Sequence, residues 1–257
     1  MLIGSVVISA MLASKTLIIN DLSKLQQAYP DYVQSVSIDH ITLRDGTEIP
    51  TNTLTNQVSA YHYTLGKIDL HTPFNMKNDA GRYRNETFFK KMYGGTKEEV
   101  EKHLVWIEWM PHIFKDERGQ ALYRLQVTTV NGVADKLKKI SNELEQLPTS
   151  DYKFLQNPAG TYMWRNIANT DRLSPHSFGM TIDINTDYTS YWQWDLTKEQ
   201  RPIAEETQLT YHENQIPWEI ILIFEKHGFI WGGKWYHYDT MHFEYRPELL
   251  GEYHPVL

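Results

Sequence analysis

Two short stretches of this chain limit its fold more than anything else in it. From Met180 the residues alternate: Met180, Ile182 and Ile184 are apolar, and Thr181, Asp183 and Asn185 between and after them are polar. Met241, Phe243 and Tyr245 repeat the pattern around His242 and Glu244. A period of two places each set on its own face of a β-strand. Both stretches therefore predict half-buried strands, with an apolar core face and an opposite face bearing acid and imidazole. Strand-like and helix-like stretches do not alternate regularly along the chain, so the expected fold class is α+β and not a doubly wound parallel sheet.

The rest of the chain supplies partners for those strands. Its 257 residues allow one large domain or a core with an extension. Leu17 to Ala28 has a short helical pattern. The Val36-to-Asp39 and Ile41-to-Ile49 stretches, with Asp45-Gly46 in the second, predict a hairpin. Lys97 to His103 suits a helix. Leu104 to Trp109 reads as a strand ended by Pro111, and Leu122 to Val130 as another with Tyr123, Leu125 and Val127 on one face. Asn131-Gly132 opens a helix whose stripe is Val133, Leu137, Ile140, Leu144 and Leu147, stopped by Pro148. Pro217 to Lys226 predicts a buried helix with Gly228 just past its end. Met1 to Ala13 is apolar but too short for a membrane-spanning helix. It fits either the apolar region of a secretory signal or an element packed on the body.

Charge and cysteine usage narrow the chemistry. With 25 Lys and Arg against 32 Asp and Glu, the chain lacks the basic surplus of a dedicated nucleic-acid binder. Without cysteine it has no disulfide, no thiolate ligand and no Cys nucleophile. Any metal is then held by His, Asp or Glu. His176 lies seven residues before Asp183, an odd offset that a straight strand would put on opposite faces; Gly179 offers the turn that brings them together. His176, Asp183 and His242 make a three-donor N/O set, which suits one zinc ion with its fourth position kept for water. Asp239, three residues before His242 in the approach loop, is placed to take a proton from that water. Asp183-Ile-Asn185-Thr-Asp187 looks like the start of a calcium loop, but Tyr188 and Trp194 stand where such a loop needs Gly and Glu. Glu244 shares a strand face with His242, which makes it a candidate neighbour of the site, against the ordinary alternative of a solvated strand acid. Six of the eight tryptophans lie between positions 164 and 235 and either wall a groove or fill the core.

Ser174-x-His176-x-x-Gly179-x-x-x-Asp183, followed by Asp239-x-x-His242-Phe243, resembles the zinc D-alanyl-D-alanine carboxypeptidases and their VanY-like and L-alanyl-D-glutamate endopeptidase relatives. Tyr162-Met-Trp-Arg-Asn-Ile167 ahead of the first motif fits one subgroup. The resemblance implies a zinc peptidase domain over 100–257 with a small antiparallel sheet carrying the site, flanked by helices. Residues 1–14 are then a signal or apolar segment, and 15–99 an N-terminal extension or small subdomain. It implies zinc on His176, Asp183 and His242, a general base at Asp239, and an oxyanion stabilised by His237 and an arginine. Ser174 matches a substrate-contacting position. Two departures stand out: Thr181 replaces the usual Ala, and the family's Arg lies further upstream in a Gly-Tyr-Arg-Ser setting. The nearest candidates here are Arg165 and Arg172. Arg165 is preferred for the oxyanion, and Arg172 is assigned to substrate binding.

The implied activity is hydrolysis of D-amino-acid-containing bonds in peptidoglycan stem peptides, with D-Ala-D-Ala and L-Ala-D-Glu bonds both open. The implied setting is periplasmic or extracellular, with no nucleic-acid partner and no integral membrane span. The competing reading is a non-catalytic, zinc-containing wall-binding or protein-binding module on the same scaffold, since fold alone does not settle activity. Asp239 separates the two, because a pure binder has no need of a base there. A third reading, a structural wall protein without zinc, leaves these acids and imidazoles as surface groups.

Overall fold

The computed structural model describes residues 22–51, 63–70, 79, 84–167, 170–199 and 214–250. The apolar Met1-to-Ala13 segment lies outside them. Residues 22–28 are helical, as the Leu17-to-Ala28 pattern predicts for the part described, and bury Leu22 and Leu25. Strands β1 (Val33–Val36), β2 (His40–Leu43) and β3 (Glu48–Pro50) follow as an antiparallel meander. The expected hairpin is β2–β3. Its turn contains Gly46 at φ +82°, a left-handed conformation that glycine adopts without steric cost, and Leu43 N–H donates to Thr47 O across it at 2.8 Å. The strand expected at Val36 to Asp39 instead stops at Val36. There the Ser37 hydroxyl accepts the Asp39 and His40 N–H groups and turns the chain.

Strands β4 (Leu104–Glu108) and β5 (Arg124–Thr128) pair antiparallel. Ile107, Leu125 and Val127 are buried, and Trp106 faces out. Helix Val133–Leu144 opens after Asn131 and Gly132, both at positive φ. Four residues of its predicted stripe, Val133, Leu137, Ile140 and Leu144, are buried, and Leu147 packs beyond its last turn. Helix Trp218–Lys226 lies against it and buries Ile220, Ile221 and Phe224.

The third sheet carries the two stretches with which the sequence argument began. Its strands are β6 (Thr181–Asp183), β7 (Phe229–Trp231) and β8 (His242–Tyr245), in the antiparallel order β6-β8-β7. Met180, Ile182, Ile184 and Phe243 are fully buried on the core side, and Phe224 stacks on Phe243 with centroids 3.9 Å apart. Burying a side chain of this size contributes about 1.5–3 kcal/mol, which is what selects the face that turns inward. The α+β expectation holds: helices flank small antiparallel sheets. The third strand, β7, was not foreseen; it has three residues, all buried, too few to display a period. One hydrophobic core runs from Leu22 through Phe88 and Phe89 to Leu250, so the described parts of the N-terminal region share it with the sheet that bears the site.

Gly179 makes the site's geometry possible. Ser174 caps a short 3-10 turn, Pro175–Phe178, and Gly179 closes it at φ +64° before β6 begins. A Cβ there would lie 2.7 Å from Leu104 Cδ2 and 3.1 Å from the Thr128 backbone nitrogen. Gly179→Ala is therefore expected to cost about 1–2 kcal/mol from the left-handed backbone alone. The squeeze against β4 and β5 adds to this. Thermal unfolding should show a fall of several degrees; an unchanged midpoint would mean that the turn is not constrained as described.

Candidate metal centre

In β6 and β8, Asp183 is paired directly with His242. Paired residues of adjacent strands point to the same face, so register alone sets a carboxylate beside an imidazole. His176 joins them because the turn ending at Gly179 reverses the chain. Its Nε2 lies 3.2 Å from Asp183 Oδ2 and 3.2 Å from His242 Nδ1, and His242 Nδ1 lies 2.9 Å from Asp183 Oδ1. One donor atom from each of the three residues falls within 4.8 Å of the other two, and this is the group found among the described residues that could hold a metal ion.

The hydrogen bonds around the two rings fit a metal. His176 Nδ1–H donates to the Thr161 carbonyl at 2.7 Å, and His242 Nε2–H donates to Glu244 Oε2 at 3.2 Å. With those nitrogens engaged, Nε2 of His176 and Nδ1 of His242 turn their lone pairs toward Asp183. This is the outer bonding that orients histidines around a metal. Two imidazoles and a carboxylate suit zinc, and as three donors they leave a position open. Glu244 is thus the neighbour of His242 that its shared strand face implied. It is fully buried, and Arg246 donates to its other oxygen at 2.8 Å. Arg246 also donates to Glu248 at 2.6 Å, and Tyr29 OH donates to Glu248 at 2.5 Å. A buried chain of charges therefore runs from the N-terminal region to a candidate metal ligand.

Electrostatics of the cluster follow from this packing. Burial raises the Asp183 carboxyl, but His176 and His242 outweigh it and hold the group well below the usual range. Burial lowers His242, yet its bonds to Asp183 and Glu244 prevail and push it up to about 10. A metal at His242 therefore displaces a proton, so metal affinity should fall in acid. Asp239 is raised to about 7, by burial first and the Asp183 charge second, with His242, His176 and Arg165 opposing. A carboxylate poised near neutrality suits a general base. Its Oδ1 is buried without a hydrogen-bond partner. An unsatisfied buried carboxylate oxygen is costly, and at a site it marks a place for a reacting group.

A cleft is lined by His176, Asp183, His242, Asp239, His237 and Arg165, together with Ser174 and Glu244. Trp192, Trp194 and Trp235 wall it, while Trp109 and Trp231 are fully buried, so the tryptophans divide between groove and core. The Ser174 hydroxyl also accepts the His176 N–H and holds the turn. Arg165 is exposed, with its backbone N–H fastened to Ser177 Oγ at 2.9 Å and its side chain open to the cleft. Arg172, assigned to substrate binding, is not among the residues that line this cleft. Its guanidinium donates to the Arg84 carbonyl at 3.1 Å and lies 3.9 Å from Glu86, away from the cleft lining, because a carboxylate and a carbonyl on that side capture it. Sequence reasoning also missed Asp79, which binds His237. It lies in a stretch without period or motif, so nothing local could have singled it out.

Glu244→Gln tests the outer bonding. The amide is nearly isosteric but carries no charge for His242 to pair with. Loss of such a partner should weaken metal binding about 10–100-fold. Competition against a chelating dye reads this directly, and unchanged affinity would show that Glu244 does not tune the site.

Residues 168–245 match the family model described as D-alanyl-D-alanine carboxypeptidase. The match spans Ser174, His176, Asp183, His237, Asp239, His242 and Glu244, and it supports the resemblance drawn from the paired motifs. No curated protein and no solved structure matches the chain.

Proposed function

We propose that this metallopeptidase is a zinc enzyme that hydrolyses D-amino-acid-containing bonds in peptidoglycan stem peptides. The observation that carries the reading is the meeting of three ligand-type side chains with a buried carboxylate oxygen that lacks a partner, in one aromatic-walled cleft. When bound, zinc supplies Lewis acidity, polarising a carbonyl and acidifying water. His176, Asp183 and His242 hold it. Asp239 accepts the proton of the attacking water and returns it to the amine nitrogen as the C–N bond breaks, so it starts and ends each turnover ionised. Arg165 and His237, which both line the cleft, stabilise the negative charge that develops on the scissile carbonyl oxygen. Ser174 lines the same cleft and contacts the substrate there. Because peptidoglycan lies outside the cytoplasmic membrane, this reading puts the site of action in the periplasm or outside the cell. No described helix is long and apolar enough to cross a membrane.

The test is digestion of purified muropeptides with mass-spectrometric readout, with chelator, and after zinc is restored. Loss of a terminal D-alanine marks a carboxypeptidase, and a cut between L-Ala and D-Glu an endopeptidase. Full zinc occupancy without cleavage of any wall peptide would overturn the enzymatic reading in favour of a binding module.

A further inference from the structure

The loop from Gly232 to Asp239 carries both His237 and Asp239, and the N-terminal region braces it. Tyr63 OH donates to Glu225 at 2.6 Å and accepts the Trp231 N–H at 2.9 Å. Lys234 donates to the carbonyls of Thr64 and Gly66 at 2.8 and 2.7 Å and also pairs with Glu225. Further along the same region, Asp79 meets His237 itself. Asp79 Oδ1 accepts the His237 backbone N–H at 2.8 Å, and Oδ2 bonds the ring at Nδ1. Both residues are buried, Asp79 at 2% exposure and His237 at 7%. On another side of the ring Trp192 packs edge-on with centroids 4.6 Å apart. A carboxylate on Nδ1 and an indole beside the ring leave it one orientation.

We infer that Asp79 is a positioning residue of this site: by gripping His237 at its backbone and at Nδ1, it fixes the ring so that Nε2 is the nitrogen a substrate meets in the cleft. The inference rests on the peptidase reading. With its Nδ1 edge held by the carboxylate, the ring turns its Nε2 edge toward the place where the scissile carbonyl oxygen gains negative charge. A carboxylate behind an imidazole plays this orienting part in acyl-transfer sites without itself taking the proton. Asp79 accordingly takes part in no bond-making step. It lies outside the segment 168–245 that matches the carboxypeptidase model, so the N-terminal region supplies a part of the site that this segment lacks.

The experiment is a double-mutant cycle on the full zinc-loaded chain, with Asp79→Asn, His237→Ala and both together, read as kcat and KM on the muropeptide the wild type cuts. Asp79→Asn should lower kcat about 10–100-fold, with KM within threefold and zinc content unchanged, by analogy with other groups that orient a site imidazole. His237→Ala should lose at least as much, and Asp79→Asn should cost less than twofold more on the His237→Ala background, because the two act as a unit. Equal losses from Asp79→Asn on both backgrounds would show that it acts on the fold at large and overturn the inference. Should Asp79→Asn fail to fold, His237→Ala decides alone: wild-type kcat in that variant overturns it, and a loss of at least tenfold supports it. A wild type that cuts while Asp79→Asn cuts equally well sinks the inference and spares the peptidase reading. A zinc-loaded wild type that cuts nothing sinks both.

Discussion

Asp239→Asn should keep its metal and its fold and lose 10²–10⁴ in turnover. The metal stays because Asp239 is not one of the three residues whose donor atoms converge. The fold stays because the amide nearly matches the carboxylate in shape and relieves a buried charge that burial and Asp183 already oppose. The loss is the usual contribution of a positioned general base. Asp183→Asn should fail in the opposite order. Its carboxylate touches both histidines, and a neutral amide is a poorer ligand, so zinc content should fall before any effect on chemistry can be read. Metal analysis alongside single-turnover cleavage, at equal folded concentration, separates the two acids. Near-normal turnover in Asp239→Asn would remove it from the role of base.

The largest stability effect should come from Arg246→Met. Arg246 is fully buried between Glu244 and Glu248, and its guanidinium also lies over the Phe89 ring at 5.1 Å. Burial alone would disfavour its charge, but the two glutamates hold it firmly protonated. Methionine fills much of the volume and leaves two carboxylates in the core without their cation. Removing one partner of a buried pair costs about 3–5 kcal/mol, enough to bring a chain of ordinary stability close to unfolding. Urea denaturation should show the midpoint fall by that free energy divided by the slope, with the slope itself unchanged. Arg246→Met combined with Glu248→Gln should recover part of the loss, since one of the stranded charges is gone. A cost below 1 kcal/mol for Arg246→Met would mean that solvent reaches this network.

Legibility differed from element to element for physical reasons. Helix Val133–Leu144 and strand β5 could be read because each is long enough to show its period, and β4 because its apolar run is followed closely by Pro111. Strand β7 could not, because three buried residues carry no alternation. His176, Asp183 and His242 were legible as a set because the strand period puts Asp183 and His242 on polar faces and Gly179 gives His176 a way back. The surroundings of Arg172 were not legible, because Glu86, 3.9 Å from its guanidinium, comes from another part of the chain.

The amino-acid sequence by itself determined which side chains face the core in β6 and β8 and which are left to do chemistry, because alternation is local and hydrophobic burial enforces it. It also determined that any metal is held by nitrogen and oxygen, because there is no sulfur ligand to offer. Tertiary structure alone decided the register that sets Asp183 against His242, the burial that moves Asp239 toward neutrality, and the contacts of Tyr29 with Glu248 and of Asp79 with His237. These join residues up to 219 positions apart. Their energies depend on distance and on the exclusion of water, and neither is a property of any stretch of sequence before the chain has closed on itself.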